Sequence, residues 1–342
     1  MELFLRNKKL DYFDNVEITM SFDAIASTFG FGFYFNVENN IQKDLAVMGL
    51  YPDCRVEENG EVLIYGTIVS NSFNSNPSKS VLPITGYSKT GILQDCTAPL
   101  ETYPLQSDNL SLKEIAQKFT KPYGIGIVID SEVASRMNEK FDVSKLKPTE
   151  VIGSYLSSLA SQKNIVLTHD NKGNIVFTTA KTNGKPIAHF ETALGMSLDI
   201  DGQSMHRNIT VMKQADVDGG NAGQESIINP FVKTNRSKIV VQSSGNDNDT
   251  KLAVRSALGQ ELKAIKLVIN LNTWLDDNGK IWKPNNTITV INKELFIFEK
   301  TKFFIESVKL TQNKSGKGAV LNCYLPAVYD DSTPINFFEK YQ

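Results

Sequence analysis

The 342-residue chain lacks most of the features that mark disulfide-bonded, metal-binding, exported or membrane-spanning proteins. Its three cysteines, Cys54, Cys96 and Cys323, are odd in number and widely separated, and none forms a C-x-x-C pair. This excludes a disulfide framework and a zinc module, and indicates synthesis in a reducing cytoplasm. The start MELFLRNKKL has no signal-peptide run, and no stretch of about 18 apolar residues occurs. We therefore expect neither signal-peptide export nor membrane insertion.

The chain also lacks a surplus of charge of either sign. It has 36 Lys+Arg against 38 Asp+Glu, a formal net charge of −2. Residues 1–100 carry −5 (7 Lys+Arg, 12 Asp+Glu), residues 101–185 carry +2 (11 and 9), and residues 186–342 carry +1 (18 and 17). Sequence-independent affinity for nucleic acid comes from a surplus of Lys and Arg. The charge therefore argues against a general binder of the phosphate backbone.

Signatures of catalysis are scarce as well. His169, His189 and His206 are not at H-x-x-x-H spacing, and His169 lies inside a predicted hairpin turn. We therefore expect solvated or edge positions for these histidines and not metal ligation. Neither G-x-S-x-G nor G-x-x-x-x-G-K-[ST] occurs. The G-x-G triplets at 30–32 and 124–126 lack the third glycine of a dinucleotide-binding loop. They are typical of glycines that interrupt strands.

Two pairs of carboxylates, Asp276-Asp277 and Asp330-Asp331, lie in predicted turns. Acid/base catalysis by two carboxyls needs them to face each other across a pocket, which adjacent turn residues rarely do. The cysteines fit small hydrophobic residues in or beside strands. We therefore predict that the protein is not an enzyme and has no catalytic, cofactor-binding or metal-binding residues.

The sequence does not decide the role of two groups of residues. A basic cluster is either a solvated helix face, or the lining of a channel or a surface for an acidic partner. It comprises Lys233, Arg236, Lys238, Lys251, Arg255, Lys263 and Lys266. Trp274 and Trp282 lie in apolar strand patterns that favour core packing, although exposed they could bind a glycan.

The first hundred residues predict β-structure. Val16, Ile18 and Met20 alternate with polar residues, and four phenylalanines from 29 to 35 recur at every second position. Residues 23–29 could form a short helical turn between these strands. Asn59-Gly60 separates two alternating runs and predicts a tight hairpin. Residues 70–79 are rich in turn formers and predict a surface loop.

From about residue 101 the periodicity becomes that of helices. Ser111 and Glu114 have the spacing of a capping box, and a second helix is predicted after Pro148-Thr149. Residues 165–179 predict a hairpin. From Pro186 the chain returns to strands, with a mobile loop at 216–229 and a helix from about 250 to 262.

The predicted fold class is therefore mainly β with an α+β insertion. We expect a first barrel-like β-domain at 1–100, completed in part by later strands, and an inserted α+β domain at 101–185. A second barrel-like β-domain with one helix is expected at 186–342.

Several strings, in order, resemble the baseplate hub protein of Mu-like contractile-tailed phages, the Mu P protein family. GYSKTGILQDCTA (86–98) resembles its strand-turn signature, in which Arg usually replaces Tyr87 and Val replaces Gln94. SLKEIAQKF and KPYGIGIVID match its helix and following strand, and GKIWKPNNTITV (279–290) its C-terminal strands. The resemblance covers nearly the whole chain.

The resemblance implies a homotrimer in which two similar barrel-like domains per chain form a pseudo-sixfold ring. Such a ring joins the sixfold tail tube, or its initiator protein, to the threefold central spike, and contacts baseplate wedge proteins. DNA would pass through the lumen without specific binding. The expected location is the virion, after assembly in the bacterial cytoplasm. Related contractile injection particles and tail-like bacteriocins fit the same pattern.

Two rival functions stay open. A tail-associated cell-wall hydrolase would need a carboxylate pair or a metal triad in a pocket. A glycan-binding or receptor-binding module of the tail tip would need exposed aromatic side chains.

Overall fold

The computed structural model describes most of the chain, and its strands dominate. Within the described residues lie twenty-one β-strands and five α-helices. The described residues are 1–6, 8–10, 13–34, 36, 38, 40, 43, 49, 51–73, 81–191, 195–213, 223–242, 247–330, 332, 334 and 336–339.

The first part of the chain is β-structure, as predicted. Phe29, Phe31 and Phe33 are buried at alternate positions of one strand, whereas Phe35 lies outside the described residues. The Asn59-Gly60 turn is confirmed, since both residues have positive φ, 51° and 79°. The strands are β1 (Glu2–Leu5), β2 (Lys8–Leu10), β3 (Phe13–Ser21), β4 (Thr28–Tyr34), β5 (Asp53–Glu58), β6 (Glu61–Asn71) and β7 (Val81–Ser88).

The structure differs from two of the predictions for this region. The segment between β3 and β4 forms bends rather than a helical turn. The predicted loop at 70–79 starts later, because β6 runs to Asn71, and its residues 74–79 lie outside the described part of the chain.

The middle of the chain combines helices with short strands. Ser111 caps its helix: its side chain accepts from the Glu114 amide, and the Glu114 carboxylate accepts from the Ser111 amide, so the capping box is confirmed. A three-stranded sheet has the order β11-β12-β9. The elements are α1 (Ile92–Asp95), β8 (Leu110–Ser111), α2 (Leu112–Thr120), β9 (Ile127–Ile129), α3 (Ala134–Asn138), β10 (Lys140–Phe141), α4 (Ile152–Gln162), β11 (Val166–His169) and β12 (Ile175–Thr178).

The last part of the chain is β-structure with one long helix. The polar stretch expected as a loop at 216–229 contains a strand at its end, and its residues 216–222 lie outside the described residues. The elements are β13 (His189–Phe190), β14 (Met196–Ile200), β15 (Asn208–Lys213), β16 (Gln224–Ile228), β17 (Ser237–Gln242), α5 (Asp247–Leu262), β18 (Ile265–Leu271), β19 (Asn286–Asn292), β20 (Ile297–Asn313) and β21 (Gly316–Tyr324).

One large sheet connects the two β-regions. Its strand order is β14-β18-β21-β20-β3-β4-β7-β6-β5-β1-β2, with β19 joined to β20 and β13 joined to β19. The pairing of β20 with β3 is antiparallel and runs from Ser307 opposite Ser21 to Gln312 opposite Val16. Strands nearly three hundred residues apart in sequence are therefore neighbours in space.

Two hydrophobic cores lie beneath these elements. The first combines buried residues of both β-regions, for example Phe31 and Phe304. The second belongs mostly to the α+β unit, around Phe119 and Leu156. The shared sheet does not by itself define where one domain ends, so the division at residues 100 and 185 stays a prediction.

Candidate interaction surfaces

His169 ends β11, and it joins the α+β unit to the large sheet. Its Nδ1 lies 2.9 Å from the carbonyl oxygen of Ala24, and its Nε2 lies 2.8 Å from Oγ of Ser27. Burial lowers the pKa of this imidazole, although the bond to Ala24 partly opposes the shift. His169 therefore takes the edge position of the two that were expected, because β11 is an edge strand of its sheet. Its contacts with Ala24 and Ser27 come from residues far away in sequence and were not predicted.

The other two histidines also bind neighbouring protein groups. Nδ1 of His189 lies 2.9 Å from the Thr289 hydroxyl. His206 contacts the buried carboxylate of Glu261 on α5. The His206 amide donates to Oε2 of Glu261 at 2.7 Å, and Nδ1 of His206 lies 2.9 Å from Oε1. Lys238 of β17 adds an ion pair to Glu261 at 3.2 Å. Glu261 therefore joins α5 to the strands that pack on it.

The carboxylate pairs and the cysteines occupy structural positions. Asp276 accepts from the amides of Asn278 and Lys280, which is the chemistry of a turn. Asp330 accepts from the Ser332 amide, and Asp331 lies outside the described residues. The thiols of Cys54 and Cys323 are buried, and this burial raises the pKa of each. A raised pKa disfavours the nucleophilic thiolate.

Both tryptophans are buried, with 2% of their surface exposed. Nε1 of Trp274 donates to the carbonyl oxygens of Thr311 and Gly318, each at 2.9 Å. Trp282 packs beside Phe190 at 6.2 Å between ring centroids. Neither ring is available to stack on a sugar.

The basic cluster is partly paired within the chain. Lys238 is paired with Glu261, and Lys263 with Asp23, so two of its charges are neutralised within the chain. Arg236 donates to the carbonyl oxygens of Met205 and Gln203, which are neutral acceptors.

Neither a metal centre nor a membrane span is found in the part of the chain that the structure describes. There, no group of three or more His, Cys, Asp or Glu could hold a metal ion. No described helix is long and apolar enough to cross a membrane.

A three-stranded sheet with order β16-β15-β17 has one face that is exposed among the described residues. One face of it packs on α5 through the fully buried Ile209 and Val211 of β15. The opposite face, which we call the outer face, follows from the strand register and the alternation of side chains. It comprises Asn208, Thr210, Met212, Gln224, Ser226, Ile228, Ser237, Ile239 and Val241.

The outer face mixes exposed aliphatic side chains with polar ones. Ile228, Ile239 and Val241 expose 61%, 65% and 62% of their surface. The Thr210 and Ser226 hydroxyls lie 2.8 Å apart and pair with each other across the face. The sequence analysis missed this surface, although three consecutive apolar residues, Ile239 to Val241, give both faces of a strand apolar side chains.

Comparison with known proteins places this fold among phage-tail proteins. Residues 90–179 match the model of the family "Baseplate hub protein gp44-like, second domain". The crystal structure of the 43 kDa tail protein of prophage MuSo2 from Shewanella oneidensis has a TM-score of 0.78 and 20% identity. The alignment covers 96% of this chain and 99% of that one.

The similarity to one curated protein is more specific. The chain is 22% identical over 323 residues to the baseplate hub protein gp44 of Escherichia phage Mu, covering 87% of this chain and 80% of the relative. The resemblance to Mu-like baseplate hubs is thereby confirmed. A more distant structure has a TM-score of 0.56 and 10% identity over 98% of this chain and 80% of its own. It is an E. coli component of the type VI secretion system, described as similar to the T4 tail proteins gp27 and gp5.

Proposed function

We propose that this chain is a structural hub of a contractile-tail baseplate and performs no catalysis. The observation that carries the proposal is the extent of the likeness. Sequence similarity to the Mu hub protein and structural similarity to a Mu-like tail protein both extend along nearly the whole chain. The virion, at the tail baseplate, is the corresponding location, after assembly in the host cytoplasm.

The proposed hub is a homotrimer. Its two barrel-like domains are residues 1–100 and 186–342, and three chains supply the six units of a pseudo-sixfold ring. The shared sheet supports this arrangement, because the β3–β20 pairing holds the two β-regions of one chain in a fixed relation. The α+β unit has its own core, which supports a position outside the ring.

The proposed partners are the central spike, the tail tube or its initiator, and the baseplate wedge proteins. DNA passes through the lumen without specific binding. The near-neutral net charge supports this last point, because a strongly positive lumen would retain the phosphate backbone.

The rival functions have less support. Asp276 and Asp330 accept hydrogen bonds from turn amides, which argues against a glycosidase built on these two pairs. The two tryptophans are buried, which removes the proposed glycan platform.

A stop codon early in the coding sequence tests the proposal. Electron microscopy of particles from induced cells should then show no complete contractile tails, and supplying the intact protein from a plasmid should restore them. Tails of normal length and number without the protein would contradict the hub function. Peptidoglycan hydrolysis by the purified protein would favour the hydrolase instead.

A further inference from the structure

The segment that links β3 to β4, residues 22–27, is held by two other parts of the chain. His169 of the α+β unit contacts it on one side, as described above. On the other side the Phe22 amide donates to the carbonyl oxygen of Glu306 on β20 at 2.8 Å. We call residues 22–27 the β3–β4 segment. Each side of the β3–β4 segment therefore faces a titratable residue.

An ion pair and an aromatic ring lie together beside Glu306. Asp23 of the β3–β4 segment pairs with Lys263, the residue that follows α5, and their side chains are only 25% and 26% exposed. Nζ of Lys263 lies 5.5 Å from the centroid of the Tyr329 ring, and the Tyr329 hydroxyl lies 3.5 Å from Oδ2 of Asp23. Tyr329 ends a turn after β21, residues 326–329, which we call the C-terminal turn. The group therefore joins the β3–β4 segment to α5 and to the C-terminal turn.

Glu306 adds a second carboxylate to this group. It lies at a β-bulge, where the pairing of β20 with β21 shifts register between Ile305 and Ser307. Burial raises the pKa of Glu306; a hydrogen bond to Ser307 and the charge of Lys263 oppose the shift, and the charge of Asp23 adds to it. Among the described residues, the titratable groups that face Glu306 are Asp23, Lys263, Lys266 of β18, Cys323 and Tyr324 of β21, and Tyr329.

Lys263 therefore serves two carboxylates, and the state of one affects the other. When Glu306 is neutral, Lys263 pairs with Asp23 without competition. When Glu306 ionises, its charge is half-buried, repels Asp23 and competes for Lys263. A carboxyl whose folded pKa is raised stabilises the fold below its unfolded pKa of about 4.3, and this stabilisation is lost as pH rises through the folded pKa.

We infer that the β3–β4 segment is a pH-sensitive latch: acid tightens its contact with α5 and the C-terminal turn and loosens its contact with the α+β unit. Both contacts are strongest when the titratable residue is neutral. A carboxyl is neutral in acid, whereas the imidazole of His169 is neutral only above its pKa, so the two contacts respond to pH in opposite directions. The inference goes beyond the proposed function and does not rest on it, because every contact lies within one chain.

Glu306→Gln tests the side of the latch at α5, because glutamine has nearly the size of glutamate and stays neutral at every pH. Hydrogen–deuterium exchange compares variant and wild type at the same pH, so the intrinsic exchange rates cancel. At pH 7.5, peptides covering residues 257–266 and 324–330 should exchange about two- to fivefold more slowly in the variant, the effect of one pair of partly exposed charges. At pH 4.5 this difference should disappear, because the wild-type carboxyl is then neutral as well.

Two further variants show whether the effect comes from this group of charges. Glu294→Gln replaces an exposed carboxylate in the turn before β20 and should exchange as the wild type does. Lys263→Met removes the cation that both carboxylates share. Adding Glu306→Gln to Lys263→Met should therefore slow exchange by a larger factor than Glu306→Gln does alone, and an equal factor would overturn the sharing of Lys263.

His169→Gln tests the opposite side of the latch in the same experiment. Glutamine does not titrate, whereas the wild-type imidazole becomes charged in acid. The ratio of variant to wild-type exchange rates over residues 165–170 should therefore be lower at pH 4.5 than at pH 7.5. The inference is overturned if this ratio does not fall, if Glu306→Gln exchanges as the wild type at pH 7.5, or if its slower exchange persists at pH 4.5.

Discussion

The burial of His169 against the segment that links β3 to β4 should make the attachment of the α+β unit sensitive to pH. Burial lowers the pKa of His169, so the folded chain favours the neutral imidazole. In the unfolded chain the pKa returns to about 6.5. The stabilisation is therefore complete above about pH 6.5 and is lost as pH falls from there through the lower folded pKa.

Two variants separate the hydrogen bonds from the titration. His169→Ala removes both bonds and leaves the Ala24 carbonyl and the Ser27 hydroxyl without this partner. We expect a loss of roughly 2–3 kcal/mol in the free energy of unfolding at pH 7.5. His169→Gln retains a donor and an acceptor but does not titrate, so it should cost less and should flatten the pH dependence.

Urea unfolding at pH 7.5 and pH 5.5, followed by far-ultraviolet circular dichroism, measures these effects. Ser27→Ala provides the control for the pair, because a double-mutant cycle with His169→Ala should give a coupling of about 0.5–3 kcal/mol for groups in contact. If His169→Gln loses as much stability between the two pH values as the wild type does, the reasoning is refuted.

Two further perturbations test the large sheet. Nζ of Lys317 lies 2.8 Å from Oε1 of the buried Glu58, and the other oxygen of Glu58 pairs with the Met1 ammonium. Lys317→Met should lower the free energy of unfolding by about 2 kcal/mol, measured by urea unfolding followed by tryptophan fluorescence. Burial alone would raise the pKa of Glu58, but its two cations outweigh burial and lower it. The stabilisation by this pair should therefore be lost as pH falls through the folded pKa of Glu58. The loss should be smaller in Lys317→Met, which lacks one of the two cations. A Cβ on Gly66 would lie 1.9 Å from a carbonyl oxygen of β7, so Gly66→Ala should cost about 3 kcal/mol or more. Gly30→Ala, whose Cβ would lie 3.8 Å from its nearest neighbours, should change stability by about 1 kcal/mol or less, and equal effects of the two substitutions would contradict the packing argument.

Features with local causes were predictable from the sequence. The capping box at Ser111 needs only two residues three positions apart, and the Asn59-Gly60 turn needs only two residues that tolerate positive φ. The burial of alternate phenylalanines in β4 follows from the alternation of faces along a strand. Each of these predictions depends on fewer than ten consecutive residues.

Features with distant causes were not predictable in this way. β16 follows a polar stretch and has only Ile227 and Ile228 as apolar signals, and its ladder to β15 supplies the remaining stabilisation. β20 runs for 17 residues, because β19 pairs with its first part and β21 and β3 pair with its second part from opposite sides. Sequence patterns do not reveal which strands become neighbours.

Three polar contacts of this chain lie at junctions between its parts. His169 joins the α+β unit to the large sheet, the Glu58–Lys317 pair joins the β5–β6 hairpin to β21, and Glu261 joins α5 to the sheet that carries the outer face. Polar groups at such sites restrict geometry, because a carboxylate or imidazole bonds only at a fixed distance and angle, whereas apolar cores tolerate sliding. A structural baseplate hub needs fixed angles between its parts. The location of these polar contacts fits that structural role.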